Sequence, residues 1–447
     1  MSSKSFDTIV IGSGTSAYFA ISALNKAGQK VAVVDERPYG GTCTLRGCQP
    51  KKYLVANAEA RAMAHHLQGI GLSEAPRTDW PALQKLKSAF QDGIPEGQVK
   101  DFQDSGIETF AGRATLNGPR SIEVDGETLE ADNIVLATGA RPRKTDIPGS
   151  ELAKNSEYFL NLESLPKRVL FVGGGYISFE FAHVAAQAGA EVTILHRSEC
   201  PLKAFDRDIV KTVVEASEDS GIRIILKESP TRIESTDNQF RVHGSSGAIY
   251  ETDLVIEASG RVPNLSVLDG DLGGVEHSSR GIEVNEFLQS VSNPNVYAIG
   301  DCAATPYQLA TVADEEGKVA AENILNDNRR SVDYSVIPTA GFTIPNVASV
   351  GLTEKQAEEK NLDFRIESGV TTGWPSSNRI GEKHSAYKIL ISNEDDTIIG
   401  AHLARHNASE VISSFGLAMK YRIPASELAN FPWAYPTYTS DLKYMVR

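Results

Sequence analysis

Residues 6–36 read FDTIVIGSGTSAYFAISALNKAGQKVAVVDE, and their pattern is strand, glycine turn, helix, strand. Phe6 to Ile11 is an apolar run of the length expected for a parallel strand buried on both faces. Ser16 to Ala27 has helical spacing, Gly28 stops it, and Val31 to Val34 is a β-branched run that returns the chain to strand. In the turn Gly12-Ser-Gly14-Thr-Ser-Ala17, the first glycine permits a tight bend and the second lets a pyrophosphate approach the backbone. Ala17 lets the helix pack closely on the strand. Free N–H groups and the helix dipole favour an anion at that helix N-terminus. Asp35 ends the second strand, where a carboxylate can accept hydrogen bonds from a ribose diol. This is the opening of a dinucleotide-binding fold.

The plan returns at residues 167–197, KRVLFVGGGYISFEFAHVAAQAGAEVTILHR, with the fingerprint Gly173-Gly-Gly175-Tyr-Ile-Ser178. The chain is therefore α/β, with two βαβ openings and two dinucleotide sites. The second site differs at its strand end, which reads Leu195-His196-Arg197 with Lys203 shortly after. An acid there would repel a 2′-phosphate, whereas a guanidinium pairs with one bidentately, so the pattern favours NADPH over NADH. The competing reading makes Arg197 and Lys203 solvated surface charges.

At 447 residues the chain exceeds one hydrophobic core, and about 150 residues per domain gives roughly three domains. A net charge of −14 disfavours a nucleic-acid partner, which needs clustered Lys and Arg. No run approaches the roughly 18 apolar residues that cross a bilayer, so no membrane partner is expected. The start MSSKSFDTIVIGSG enters a strand pattern at once, without a signal-peptide cleavage region, and the expected location is cytoplasmic. Four cysteines do not make a disulfide framework, and in a reducing compartment a disulfide serves redox chemistry.

That directs attention to residues 40–52, GGTCTLRGCQPKK, which place Cys43 and Cys48 five residues apart. Zinc sites use four ligands at repeated close spacing, and no second Cys or His pair stands at such a spacing here, so no metal site is expected. Two inert core thiols would not need Gly40, Gly41 and Gly47 around them or a proline at the next helix start. Pro50 predicts a helix beginning beside Cys48, where the helix N-terminus and a nearby lysine stabilise a thiolate.

Six motifs in order now carry a resemblance. They are GSGTSA from Gly12, GGTCTLRGCQPKK from Gly40, IVLATGARPR from Ile134, GGGYISFE from Gly173, EASGRVPN from Glu257 and VYAIGDCAATPYQLATVADEEGKVAAENI from Val296. Over nearly its full length the chain resembles the class I flavoprotein disulfide reductases, the group of glutathione reductase, lipoamide dehydrogenase and mercuric reductase. The resemblance implies two Rossmann-like domains, for FAD and NADPH, and a C-terminal α+β dimerisation domain. The expected boundaries are 1–147 with 266–332 for FAD, 148–265 for NAD(P)H, and 333–447 for the homodimer interface.

The same resemblance assigns residues. FAD falls to Gly12, Gly14, Ala17, Asp35, Thr42, Thr138, Gly139, Asp301 and Ala313; NADPH falls to Gly173, Gly175, Tyr176, Glu180, Arg197, Lys203 and Gly260. Tyr176 matches the gate over the flavin, and Glu180 the acid that pairs with an active-site lysine, either Lys51 or Lys52. Cys48 is implied to lie against the flavin and Cys43 to attack substrate. Hydride from NADPH would reach the flavin, electrons would open a Cys43–Cys48 disulfide, and Cys43 would form a mixed disulfide with a small-molecule substrate.

The C-terminal stretch departs from the family. Relatives carry His-Pro-Thr followed closely by Glu, whereas residues 431–447 read FPWAYPTYTSDLKYMVR, with Tyr435 at the histidine position. A phenol with a pKa near 10 is a poor base at neutral pH. Tyr438, Ser440 and Asp441 are candidates for a different proton network, and Tyr435 for interface packing as much as for catalysis. No cysteine follows Cys302, so the second cysteine pair of mercuric reductases and the redox tail of large thioredoxin reductases are missing. The first helix has no basic residue before Lys26, which argues against glutathione; the run ADEEG from Ala313 resembles lipoamide dehydrogenase, an enzyme that needs the histidine. Cys302 is expected to pack under the cofactor, Cys200 to be inert, and His402 to be a core or interface residue.

The expected activity is an FAD-dependent, NADPH-preferring oxidoreductase that reduces a small disulfide through Cys43 and Cys48. The alternatives are reduction of a quinone, metal ion or dioxygen without a histidine relay, and a flavin-bound redox sensor with little turnover.

Overall fold

The computed structural model describes residues 4–237, 239–270 and 272–447. They divide into two compact units. One comprises the chain up to Lys52, Leu86–Arg143 and Arg261–Tyr334; the other comprises Tyr53–Lys85, Lys144–Gly260 and Ser335–Arg447.

The first unit is built on the sheet predicted from residues 6–36. Glu108–Ala111, Val31–Asp35, Lys4–Ile11 and Glu127–Leu136 lie side by side in that order, all parallel. The last of these strands has two partners along one edge. Its first half pairs antiparallel with Ser121–Val124, and its end pairs parallel with Val296–Ala298. Successive residues alternate between two cores: Ile9, Ile11, Val34, Ile134 and Leu136 face one, and Val10, Val33 and Val135 the other. Burial on both faces is the reason the strands read as uninterrupted apolar runs. Helices Thr15–Lys26 and Ala310–Asn326 contribute to the second core, and they cross closely enough that a Cβ on Gly317 would lie 2.2 Å from the carbonyl oxygen of Ser16.

The second unit contains the other nucleotide fold, a parallel sheet in the order Ile222–Leu226, Glu191–His196, Arg168–Val172, Leu254–Glu257. The C-terminal part is a five-stranded antiparallel sheet in the order Thr339–Gly341, Val347–Gly351, Ile398–Ala404, Ala386–Ser392, Phe364–Val370, against which helix Ala408–Lys420 packs. Lys388 in this sheet joins it to the nucleotide fold through Asp206 (3.3 Å) and Asp208 (2.6 Å), at the start of helix Arg207–Asp219. The α/β class with two dinucleotide folds and a C-terminal α+β sheet is thus as the sequence implies.

Residues 53–85 were expected with the first nucleotide fold, but they pack in the second unit. Leu54, Val55, Ala58, Trp80 and Leu83 share a core with Phe159, Phe171 and Phe179, and the Trp80 indole N–H donates to the Leu162 carbonyl at 2.8 Å. Helix Cys48–His66 runs on without a break, so no turn signal in the sequence marks this transfer. Among the described residues, no helix is long and apolar enough to cross a membrane.

Helix Tyr176–Gln187 carries a buried histidine with a measurable consequence. His183 is 1% exposed, its Nδ1 donates to the Phe179 carbonyl at 2.9 Å, and burial pulls its pKa down to about 4. A base whose folded pKa lies below its unfolded value binds more protons when unfolded, so stability is full above about pH 6.5 and falls as pH drops toward 4. The expected loss across that window is about 2–3 kcal/mol. Denaturant melts of the wild type and His183→Gln between pH 7 and 4 check this; equal slopes in the two proteins would rule it out.

Candidate active site

The first glycine turn has the geometry its sequence required. Gly12 sits at φ +113°, and a Cβ there would lie 2.2 Å from the Ala137 carbonyl oxygen. Gly14 caps helix Thr15–Lys26, and Ala17 is fully buried on its inner face. Asp35 Oδ2 accepts from the Ser13 N–H (2.8 Å) and hydroxyl (2.6 Å), which ties the end of the second strand to the turn. Thr138 donates to the Asn264 carbonyl at 2.7 Å, and Gly139 turns the chain at φ +66°. Ala313 is buried near Gly300. Asp301 lies in the short turn Gly300–Cys302, and burial pushes its carboxyl up, opposed by the Arg261 guanidinium. Cys302 is fully buried, with its thiol toward the Leu136 (3.2 Å) and Ile299 (3.3 Å) carbonyls, which is a packing role.

The cysteine segment is laid directly on this turn. Gly40 and Gly41 have φ +127° and +70°, and a Cβ on Gly41 would come within 2.3 Å of Gly14 Cα, so the two backbones touch. Helix Gly41–Leu45 carries Thr42 and Cys43, and helix Cys48–His66 begins at Cys48 itself, with Pro50 in its first turn. Proline loses nothing there, because first-turn N–H groups have no intrahelical acceptor. The Cys43 thiol donates a hydrogen bond to Cys48. That bond, then burial, holds Cys43 well above the ordinary thiol range; Asp314 adds to the rise and the Lys51 ammonium opposes it. Lys51 is buried at 8% exposure, whereas Lys52 is partly exposed.

The second unit repeats the turn. Gly173 has φ +115° with the Ala258 carbonyl 2.4 Å from where its Cβ would stand, Gly175 caps helix Tyr176–Gln187, and Gly260 has φ +133°. Tyr176 opens that helix half-exposed. Glu180 is 1% exposed and its Oε1 accepts from the Phe342 N–H at 2.8 Å. After Arg197 the loop folds back: His196 Nε2 donates to the Cys200 carbonyl at 3.1 Å, and the Leu202 N–H to the Gly174 carbonyl at 2.8 Å. Lys203 and Arg197 are both exposed, and both add to the depression of the His196 pKa, which is caused first by burial. Glu199, the nearest acid in sequence, faces Lys227 at 3.3 Å. The strand end therefore presents two cations beside the glycine turn.

In the C-terminal segment, Tyr435 is 67% exposed, with the Lys443 ammonium 5.5 Å from its ring centre. Asp441 is buried; it accepts from Arg405, itself 0% exposed, at 2.6 Å and from the Ser376 hydroxyl at 2.5 Å. Its charge is thus engaged with Arg405. Ser440 Oγ donates to the Thr437 carbonyl at 2.6 Å. Tyr438 packs against His406 with the rings tilted by 57° and 5.4 Å between centres, and burial pushes its phenol pKa up. His402 is a core residue between Ser349 (3.0 Å) and Leu352 (2.9 Å).

Two family models divide the chain almost between them. Residues 6–317 match the pyridine nucleotide-disulphide oxidoreductase model, and residues 337–446 match the dimerisation domain of the same group. The chain belongs to the pyridine nucleotide-disulphide oxidoreductases. Relatives of this oxidoreductase include mercuric reductase of Staphylococcus aureus (31% identical, covering 98% of this chain and 81% of that one). Dihydrolipoyl dehydrogenase of Chlamydia muridarum is 32% identical over 97% of this chain and 94% of its own, and glutathione reductase of a Nostoc species 32% identical over 93% and 94%. Among solved structures, the HOCl-induced flavoprotein disulfide reductase RclA from Escherichia coli matches with TM-score 0.89 and 27% identity, covering 98% of this chain and 99% of that one. A Cu(II) complex of RclA matches with the same TM-score, covering 100% and 99%.

The oxidoreductase family binds FAD and a pyridine nucleotide, and the residues of this chain fit both. At the first turn, Gly12, Gly14 and Gly41 leave the helix N–H groups clear of side chains, as an approaching pyrophosphate requires, and burial keeps the Asp301 carboxyl above its ordinary range. At the second, Gly173 and Gly175 leave the same kind of anion cradle. Sequence reasoning noted the ADEEG run but passed over Glu316 within it, which is 0% exposed; its helical offset from buried Val312, Ala313 and Ala320 was the available signal.

Proposed function

We propose that this oxidoreductase uses NADPH to reduce a low-molecular-weight disulfide through Cys43 and Cys48, acting as a homodimer. The observation that carries the reading is the Cys43 thiol donating to Cys48 at the first residue of a long helix, with Lys51 contributing positive charge. When bound, the flavin supplies the two-electron relay between nicotinamide and dithiol. Arg197 and Lys203 would pair with the 2′-phosphate that distinguishes NADPH. Cys43, after losing its proton, attacks one sulfur of the substrate, the substrate S–S bond breaks, and one thiolate leaves. Cys48 then attacks Cys43, the second thiolate leaves, and the protein holds a Cys43–Cys48 disulfide that two electrons from NADPH reopen. The proton of Cys43 needs an acceptor, and the sequence position at which the resemblance implies a histidine holds Tyr435, whose phenol is a poor base at neutral pH.

That weakness favours a second reading, reduction of a thiophilic metal ion. Such ions bind thiolates directly and need no proton transfer to a leaving sulfur. Mercuric reductases stand among the relatives, and RclA has been solved as a Cu(II) complex. The separating experiment is NADPH consumption by the FAD-loaded protein with small disulfides, Cu(II) and Hg(II) supplied individually. Turnover on disulfides supports the first reading and turnover on metal ions alone the second. Oxidised protein given one equivalent of NADPH without oxygen should also gain two alkylatable thiols, located at Cys43 and Cys48 by mass spectrometry; no gain would falsify the dithiol assignment.

A further inference from the structure

Asp314, Glu315 and Glu316 are three consecutive acids on helix Ala310–Asn326, and each does something different. Asp314 accepts a hydrogen bond from the Thr15 hydroxyl. Glu315 is on the surface with Arg330 and, at 3.5 Å, Lys318. Glu316 points inward and has no solvent contact. A buried carboxyl is costly unless its oxygens are bonded, and both of these are. Oε2 accepts from the Gly300 N–H at 2.7 Å, and Oε1 from the Tyr334 hydroxyl at 2.8 Å.

Gly300 is the hinge of the turn that carries Asp301. It sits at φ +67°, a left-handed conformation that glycine adopts without strain, and a Cβ there would crowd Ser16 Oγ at 3.0 Å. The turn closes with the Ala303 N–H on the Gly300 carbonyl at 3.0 Å. Before it, the Ile299 N–H is bonded to Leu136 of the sheet at 3.0 Å. Glu316 thus supplies a fixed acceptor for the one N–H at the entry to the turn, and Tyr334 holds that acceptor in place. Burial raises the carboxyls of both Glu316 and Asp301, so the two acids share one desolvated region.

We propose that Glu316 is a positioning residue for the flavin: its bond to the Gly300 N–H fixes the turn that presents Asp301, and FAD affinity depends on it through that turn. This rests on the reading of Asp301 as a flavin-binding acid. The test is FAD rebinding to deflavinated full-length protein, followed by flavin fluorescence, for the wild type, Glu316→Ala, Glu316→Gln and Asp301→Ala. Glu316→Ala should raise the Kd for FAD about tenfold or more, since it removes the acceptor of a buried N–H. Glu316→Gln keeps an acceptor for Gly300 and should stay within about threefold of wild type. That split between Ala and Gln is the signature of positioning; equal effects of the two, or none from Ala, overturn the proposal. If Asp301→Ala weakens FAD and Glu316→Ala does not, the inference fails and the flavin reading stands. If neither weakens FAD, the reading of Asp301 fails and takes the inference with it. Should Glu316→Ala not fold, Tyr334→Phe decides: it releases Oε1 alone and should weaken FAD about threefold, and an unchanged Kd overturns the proposal.

Discussion

Replacing Cys43 by serine is expected to lower disulfide turnover by about ten-thousandfold or more, to near background. A serine hydroxyl is not ionised at neutral pH and cannot form the mixed disulfide, whereas the change of one atom leaves helix Gly41–Leu45 its shape. Consumption of NADPH with a quinone, which needs no thiol, should persist in the variant; loss of both activities together would show damage to the flavin site instead. The raised pKa of the Cys43 thiol adds a pH signature. Because the hydrogen bond to Cys48 and burial keep the proton on Cys43, disulfide turnover of the wild type should climb through the alkaline range in which a model thiol is already ionised. A rate that levels off by neutral pH would mean that a strong base completes the site.

Arg197→Glu is expected to change the preference for NADPH over NADH by about a few hundredfold, measured as the ratio of kcat/KM values. Removing a charge-assisted pair costs about 2 kcal/mol, and placing a carboxylate against a 2′-phosphate adds a repulsion of about 1–2 kcal/mol at a surface site. Arg197 is exposed and its loop is anchored by the Leu202 N–H on the Gly174 carbonyl and by the His196 ring on the Cys200 carbonyl, so the substitution should not disturb the glycine turn. The effect should shrink as salt is added, because the pair is open to solvent. An unchanged ratio would make Arg197 and Lys203 ordinary surface charges.

Much of this architecture is legible in the chain because its signals are local. Gly12, Gly14 and Ala17 occupy one turn, and the switch from period 2 to period 3.6 occurs on either side of it. The same holds for Cys48, whose place at a helix start is announced two residues later by Pro50. What stays hidden is pairing at a distance. Nothing near Asp441 points to Arg405, 36 positions earlier, yet their ion pair occupies the carboxylate that the C-terminal segment offers for proton transfer. Glu316 looks like one acid in a charged helix until the sheet places Gly300 before it. The assignment of residues 53–85 to the second unit is hidden for the opposite reason: helix Cys48–His66 has no break in it for a sequence to show.

The two-partner strand Glu127–Leu136 bears on how the molecule is made. Its end pairs with Val296–Ala298, about 160 positions later in the chain. A ribosome synthesises the whole nucleotide fold between Lys144 and Gly260 before that partner emerges. Until then the end of Glu127–Leu136 is an unpaired sheet edge of Ile134, Val135 and Leu136, an apolar template for the wrong strand. Maturation of the first unit is therefore gated by translation of the second nucleotide fold, and slow synthesis through that insert lengthens the period in which the nascent chain is open to mispairing.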